Sequence, residues 1–276
     1  MVNSMKIAFC LFGVVGGDKG KSGTGSPTEV LKIGHEFFDK NIFQHNDVDV
    51  FIHTWTTEEK ENIESLYKPK KAIYQEQIDF EVPSYVGGSE KRKKNHYSRW
   101  YSTKKTLELK KQYEEENNFE YDFVMVCRFD IAFRKKLDFN DYDNYYFYAG
   151  NWNRVHDAYG NQIKNRLYYN IMSDPTIDKS GFVQRMGGYP YNEEGLVDFW
   201  FFGGSETMDE FGELYDNLDE YTKPWNCPTD HEGWISNHRL SIYHLGRMGF
   251  LDKLKFAYYL HDDFPLVRRW HFKCGR

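Results

Sequence analysis

Hydrophobic and polar positions fall in blocks along this chain, and the blocks change period in a regular order. A short apolar run from Lys6 to Phe12 stops abruptly at Gly13 and predicts a buried strand. A polar, glycine-rich stretch from Gly13 to Gly25 follows. Ser26 then stands as an N-cap, with Pro27 at the first helical position and Glu29 three residues after the cap. Val30, Ile33, Phe37 and Phe38 continue at helical spacing. Asp49 to His53 predicts a second strand, Thr56 to Tyr67 a helix that Pro69 ends, and Lys71 to Tyr74 a third strand. A loop at Gly87-Gly88 precedes a long helix predicted from His96 to Glu116. Phe123 to Cys127 is the clearest strand of all, an apolar run bounded by polar residues. Val197 to Phe202 reads as a further strand that runs into Gly203-Gly204. Two helices, Glu206 to Tyr221 and Asp230 to Met248, are expected after it.

Strands alternating with helices imply an α/β class, a Rossmann-like domain whose mostly parallel central sheet is flanked by helices on both faces. Periodicity fades from Asn151 to Tyr191, where polar residues, Gly and Tyr dominate, and a stretch of that length inside a domain reads as a functional loop region. With no repeat and no Pro-rich linker, residues 1–276 are expected to form one domain of two halves, 1–150 and 151–276.

Composition narrows the function. Aromatic residues make up 18% of the chain, and their faces suit both sugar C–H groups and nucleobases, although most Phe in a folded chain is core. The net charge of −6, with both signs interspersed, excludes a global field for nucleic acid. Lys91-Arg92-Lys93-Lys94 reads as a solvated loop. Cys10, Cys127, Cys227 and Cys274 form no C-x-x-C pair. Cys10 and Cys127 sit in apolar runs, as small buried hydrophobes do. No apolar run approaches the ~20 residues that span a bilayer. No A-x-A-like site follows the apolar start, and no N-x-[ST] sequon occurs. A cytoplasm is the expected setting.

Two phosphate-binding motifs fail on spacing. Gly20-Lys21-Ser22 would end a P-loop, but Val15 stands where its first glycine belongs, and the same Val15 breaks a G-x-G-x-x-G pattern starting at Gly13. His231-Glu232 and His238 suggest a zinc site, yet seven residues separate the histidines where a metalloprotease needs four. The informative constellation is Arg128-Phe129-Asp130, delivered by a buried strand to its carboxyl end. There a guanidinium can clamp a pyrophosphate and a carboxylate can hold a divalent ion. Asp198 is a second acid placed in an otherwise apolar strand, partnered or working.

The pieces Lys6-Ile-Ala-Phe-Cys-Leu-Phe-Gly13, Asp49-Val-Phe-Ile-His-Thr-Trp55, Tyr101-Ser-Thr-Lys-Lys105, Tyr121 to Asp130, and Asp198-Phe-Trp-Phe-Phe-Gly-Gly-Ser205 follow one another in order. As a set, this order resembles bacterial and viral glycosyltransferases of surface-polysaccharide type, with a GT-A-like fold. The resemblance implies that Phe12, Gly13, His53 and Trp55 line a nucleotide pocket. It implies that Tyr101 and Lys105, on one face of a helix, meet a nucleotide-sugar donor. Arg128-Phe129-Asp130 stands where such enzymes carry D-x-D, with Arg128 in place of the first acid. Mn²⁺ or Mg²⁺ would be held at Asp130, with His261 as a further ligand. The activity implied is transfer of a sugar from a nucleotide-diphosphate donor to a hydroxyl of a glycan or glycoconjugate acceptor, in a bacterial or virus-infected host cytoplasm. Asp198 and Glu232 are the candidate bases for that hydroxyl. A sugar nucleotidyltransferase and a non-catalytic carbohydrate-binding domain are the competing readings.

Overall fold

Burial on both faces of its first strand sets the architecture. In β1 (Lys6–Gly13) every residue from Ile7 to Phe12 is buried. Successive side chains of a strand point to opposite faces, and here they divide between two cores. Ala8, Cys10 and Phe12 join Phe51, Val124 and Val126 on one face, against Trp100 and Leu107. Ile7, Phe9 and Leu11 join Val50, Ile52, Met125 and Cys127 on the other, against Leu31 and Phe38. Near-continuous apolar runs of this kind belong to strands covered by helices on both sides.

A computed structural model describes residues 5–16, 26–151, 155–156, 162–163, 195–226, 234–260 and 263–267. In chain order the elements after β1 are α1 (Pro27–Asn41), β2 (Asp47–Thr54), α2 (Lys60–Tyr67), β3 (Lys71–Tyr74), α3 (Glu90–Asn117) and β4 (Phe123–Arg128). They continue with β5 (Phe147–Asn151), β6 (Val197–Gly203), α4 (Ser205–Gly212), α5 (Leu218–Tyr221), α6 (Asn237–Arg247) and β7 (Leu254–Tyr259). A two-residue ribbon pairs Val155–His156 with Gln162–Ile163. The sheet has seven strands in the order β3-β2-β1-β4-β6-β5-β7. β3, β2, β1 and β4 are mutually parallel, as are β5 and β7, and β6 alone runs against its neighbours. The chain is therefore α/β with a mostly parallel sheet flanked by helices. No described helix is long and apolar enough to cross a membrane.

One consequence of this topology governs the rest. The ends of β1, β2, β3, β4 and β5 and the beginning of β6 all meet at one edge, the carboxyl edge of the parallel strands. α3 runs antiparallel to β1 and β2, so its first turns project past that same edge. At 28 residues it is about 42 Å long.

Local signals explain where the elements start and stop. Ser26 caps α1, its hydroxyl accepting from the Glu29 N–H at 3.2 Å. Lys68, at φ 45°, closes α2 in the left-handed conformation just before Pro69. α3 begins six residues earlier than expected, because Ser89 caps it. The basic run Lys91 to Lys94 is thus not a loop but the first turns of a helix. Lys93 is buried there and reaches Glu90 at 2.6 Å. The helix expected from Glu206 to Tyr221 is two, α4 and α5. Gly212 packs so tightly on Leu107 that a Cβ would lie 2.8 Å from its Cδ1. α6 opens at Asn237, later than the predicted Asp230, and residues 227–233 lie outside the described set. β5 and β7 were not expected; they form the second half of the sheet, beyond β6.

Both described cysteines are buried free thiols, and burial pushes the Cys10 thiol up to about 12. They are inert core residues.

α1 presses on the exit of β4, the segment that carries Asp130. An ideal Cβ on Gly34 would sit 2.4 Å from the Phe129 carbonyl oxygen. Gly34→Ala should therefore lower stability by about 1–3 kcal/mol. Urea denaturation measures this, and a variant with the wild-type midpoint would show that α1 is free to move off β4.

Candidate functional site

The site is built on a glycine, a serine and a histidine where three elements converge. β1 ends at Gly13, whose φ of 89° is open to glycine and rarely to other residues. Among the described residues, a Cβ there would meet nothing within 4 Å. The Gly13 N–H donates to the Ser102 hydroxyl of α3 at 2.7 Å, and its carbonyl accepts from the Trp55 N–H at 3.3 Å. His53, at the end of β2, lies 2.7 Å from the same hydroxyl through Nδ1 and 3.1 Å from Gln75 Oε1 through Nε2. With Gln75 Oε1 accepting, the ring carries its hydrogen on Nε2, and Nδ1 accepts from Ser102. Burial lowers the proton affinity of His53, which keeps it neutral in this role.

Beside this hub lies an aromatic group. Trp55 stacks on Tyr101 with ring centres 5.5 Å apart, and Phe80 and Tyr215 meet Tyr101 edge-on at 5.6 and 5.4 Å. His53 abuts both Trp55 and Tyr101. Lys105 shares the Tyr101 face, with Nζ 5.5 Å from the ring centre and 2.7 Å from Glu108. The Trp55 indole N–H is buried and makes no hydrogen bond among the described residues. Buried donors are rarely left so, and the Trp200 indole in the core shares this state among the described residues.

The charges gather on the other side of Gly13. Arg128, the last residue of β4, donates from Nε to Asp130 Oδ1 at 2.8 Å and from Nη2 to Oδ2 at 2.7 Å. Asp130 is 1% exposed, while the Arg128 side chain keeps 24% of its surface. Gly16, at φ 106°, closes over the acid, since a Cβ there would lie 3.1 Å from Asp130 Cβ. Burial works against the charge of Arg128, and Asp130 with Asp198 more than offsets it. Arg128 is a permanent cation held by a buried acid.

Asp198, at the start of β6, anchors a second cation. Arg99 of α3 lies over the Phe12 ring at 4.7 Å, donates to the Asp198 carbonyl at 3.0 Å, and places Nε 3.6 Å from Oδ2. Asn237 donates to Oδ2 at 3.1 Å, and His238 Nδ1 stands 3.4 Å from Oδ1. Burial would raise the Asp198 carboxyl, but His238, Arg99 and Arg128 together hold it well below the usual carboxylate range. Burial also brings Arg99 down to about 10, still charged at neutral pH, and takes His96, the next turn of α3, down to about 4.

The structure thus brings Phe12, Gly13, His53, Trp55, Tyr101, Lys105, Arg128, Asp130 and Asp198 to one edge of the sheet. Phe12 is buried beneath Arg99, as its floor. Glu232 and His261 lie outside the described residues, as does most of the Asn151 to Tyr191 stretch. Ser102, Gln75, His96, Arg99, Asn237 and His238 were not singled out for this site from the sequence. For His96, Arg99 and Ser102 the one signal was polar residues at helical spacing on a helix that must cover a sheet.

The divalent ion expected at Asp130 does not fit the described residues. Both Asp130 oxygens are engaged by Arg128 in a forked pair. No three His, Cys, Asp or Glu side chains gather to hold a metal ion among the described residues. The cations at this edge are guanidinium groups, each beside a buried acid.

A cavity of about 700 Å³ lies at the opposite, amino edge, between α3 and α4. Glu114, Glu115, Glu206, Asp209, Glu210 and Glu213 are among its walls. A pocket of that sign repels phosphates, so its size does not make it the place for an anionic ligand.

Asp198 is the acid paired with the buried Arg99, so Asp198→Asn leaves a buried cation uncompensated. At pH 7 the variant should lose about 3–5 kcal/mol. Because the folded carboxyl is depressed, its stabilisation is complete above the unfolded value of about 4 and is lost as pH falls through the folded one. The gap between wild type and variant should therefore narrow below about pH 4. Urea midpoints at pH 7 and pH 3 provide the check, and equal midpoints at pH 7 would remove Asp198 from this role.

No protein-family model matches the chain, and no curated protein matches it in sequence.

Proposed function

We propose that this chain is a glycosyltransferase with a GT-A-type arrangement. In this reading it moves a sugar from a nucleotide-diphosphate donor to a hydroxyl of a glycan or glycoconjugate. The observation that carries the proposal is Arg128, a partly exposed cation locked by Asp130 at the carboxyl end of a central parallel strand, beside the backbone of Gly13. Open α/β sheets bind ligands at that edge. A leaving diphosphate gains negative charge as the sugar departs, and a guanidinium held rigidly in place meets that charge without reorganising.

The remaining parts take roles around this centre. Trp55 and Tyr101 place an aromatic group near Gly13, suited to the base of a nucleotide. Asp198 is a poor proton acceptor, because its affinity for protons is depressed, and a general base works best near the operating pH. Its part is to keep Arg99, His238 and Arg128 oriented. That departs from the base assignment expected for it, and Glu232, the other acid considered, lies outside the described residues.

Arg128→Ala should lower donor turnover about a hundredfold, equivalent to about 3 kcal/mol of transition-state stabilisation. Arg128→Lys should recover only part of it, since an ammonium lacks the planar fork. Wild-type turnover should survive EDTA. The product separates the alternatives: transfer releases a nucleoside diphosphate, whereas a sugar nucleotidyltransferase releases pyrophosphate from a nucleoside triphosphate and a sugar phosphate. If no nucleoside diphosphate or nucleotide sugar raises the melting temperature, the reading fails.

A further inference from the structure

The hub of Gly13, Ser102 and His53 continues one residue further, to a side chain that it leaves half open. Along this line each hydrogen has a place. The Gly13 N–H donates to the Ser102 hydroxyl at 2.7 Å. The Ser102 hydrogen has two acceptors in reach, His53 Nδ1 at 2.7 Å and the His53 carbonyl at 3.2 Å, and the nearer takes it. Burial keeps His53 neutral, so with Nδ1 accepting, the ring hydrogen lies on Nε2 and donates to Gln75 Oε1 at 3.1 Å. The Tyr101 hydroxyl donates to that same oxygen at 3.5 Å. Both acceptor positions of the Gln75 oxygen are engaged, and the carboxamide has one way round.

What remains is the amide nitrogen. Its two hydrogens meet no acceptor among the described residues, and the side chain is half-buried rather than sealed. Tyr101, Tyr215 and Lys105 border it, and each is half-buried too. Strand register sets its distance from Arg128. Phe12 pairs with His53 on one side and with Arg128 on the other, and His53 pairs with Ile73 of β3. Gln75 stands two residues after Ile73, its N–H bonded to the Thr54 carbonyl at 3.0 Å. Three strand spacings separate β3 from β4, about 14 Å in all, and Gly13 lies between them.

We propose that Gln75 is a specificity-determining residue, a donor that selects a nucleobase with a carbonyl on the edge farthest from its sugar, uracil or guanine, over one with an amino group there, cytosine or adenine. This rests on the glycosyltransferase reading and names the class of base in its donor. A nucleotide whose diphosphate meets Arg128 runs across Gly13 towards β3, and it turns the far edge of its base to Gln75. Uracil O4 and guanine O6 accept from the amide nitrogen, whereas the amino groups of cytosine and adenine set donor against donor. An unanchored glutamine turns its amide over and accepts from such a group. Gln75 is held back from this, because turning over sets its nitrogen against the His53 N–H. A polar group left unpaired by the wrong ligand discriminates more sharply than shape does.

The test titrates the full chain with UDP, CDP, GDP and ADP by calorimetry, as wild type, Gln75→Glu and Gln75→Met. Wild type should bind UDP over CDP, or GDP over ADP, by about tenfold or more, and the pair in which it does so identifies the base. Gln75→Glu keeps an oxygen for His53 and Tyr101 but loses the outward donor, and Gln75→Met loses both. In each variant that ratio should fall to about one, with the melting temperature of the free protein reporting that it folds. A merely structural glutamine would weaken both members of a pair alike and leave the ratio standing. That result overturns the inference, as does a wild type that binds the members of each pair equally, and either leaves the transferase reading in place. If no nucleoside diphosphate binds wild type, both fall.

Discussion

The placement of every group at the carboxyl edge depends on a buried polar spine along α3. Ser98, Ser102, Thr106, Lys110 and Glu114 recur every four residues, and all five are buried. Each bonds to what it covers. Ser98 meets Gln77, Ser102 bridges Gly13 and His53, and Thr106 donates to the Phe51 carbonyl at 3.2 Å. Lys110, with no exposed surface, reaches Glu114, Ser205 and Asp209 at 2.9, 2.6 and 2.6 Å, and Glu114 accepts from the Tyr121 N–H. Apolar contact alone lets a helix slide on a sheet, whereas directed bonds to specific backbone groups do not. A buried charge is costly unless fully partnered. The Lys110 end therefore has one register, and the rest of the helix inherits it. Arg99 over Phe12 and Arg92 over Trp234 follow from that register, at fixed steps along the same rod.

The charge arrangement that this rod helps to build is close to self-neutral. Asp130 holds Arg128, and Asp198 holds Arg99, with Asn237 and His238 completing its shell. The pairs differ in exposure. Arg99 is sealed beneath the surface with its acid, while Arg128 keeps part of its side chain open. A buried pair that is complete orders its surroundings and offers little to a ligand. A pair in which only the acid is buried presents the cation outward, oriented by a partner that a ligand cannot easily displace. The same forked geometry engages both oxygens of Asp130, which explains how an acid at the place of an expected metal ligand serves a guanidinium instead.

Much of this was legible in the sequence, because the strongest signals were local. Lys6 to Gly13 and Phe123 to Arg128 are short apolar runs that could pair only as buried strands, and Ser26-Pro27 announced α1 outright. Arg128 and Asp130 were visible because a strand end in an α/β chain is a place where charged residues have reason to sit. What escaped depends on partners far away in sequence. β5 and β7 are short; β5 becomes a strand because β6 offers an edge to pair with, and β7 because β5 then offers the next. The start of α3 was hidden by its basic run, whose charge suggested solvent although Lys93 packs inward on Glu90. Ser102 and Arg99 were invisible as site residues, because the buried face of α3 is polar and apolar periodicity carries no trace of it.

The two edges of the sheet differ in electrostatic character, and this matters for a chain with a net charge of −6. Around the amino edge, the carboxylates of α3 and α4 crowd a cavity whose lining includes only one lysine, Lys111. At the carboxyl edge, Arg99 and Arg128 stand with His238 and His96 around two buried acids. A global negative charge would slow the approach of an anionic molecule from most directions, and the acidic cavity would turn it away outright. Only at Arg128, whose side chain is partly open above its buried acid, is a cation presented outward, and fields close to the surface are governed by the nearest charges within a Debye length, about 8 Å in physiological salt. The acidity of the whole is therefore compatible with recognition of a diphosphate at one edge, and it makes that edge more selective.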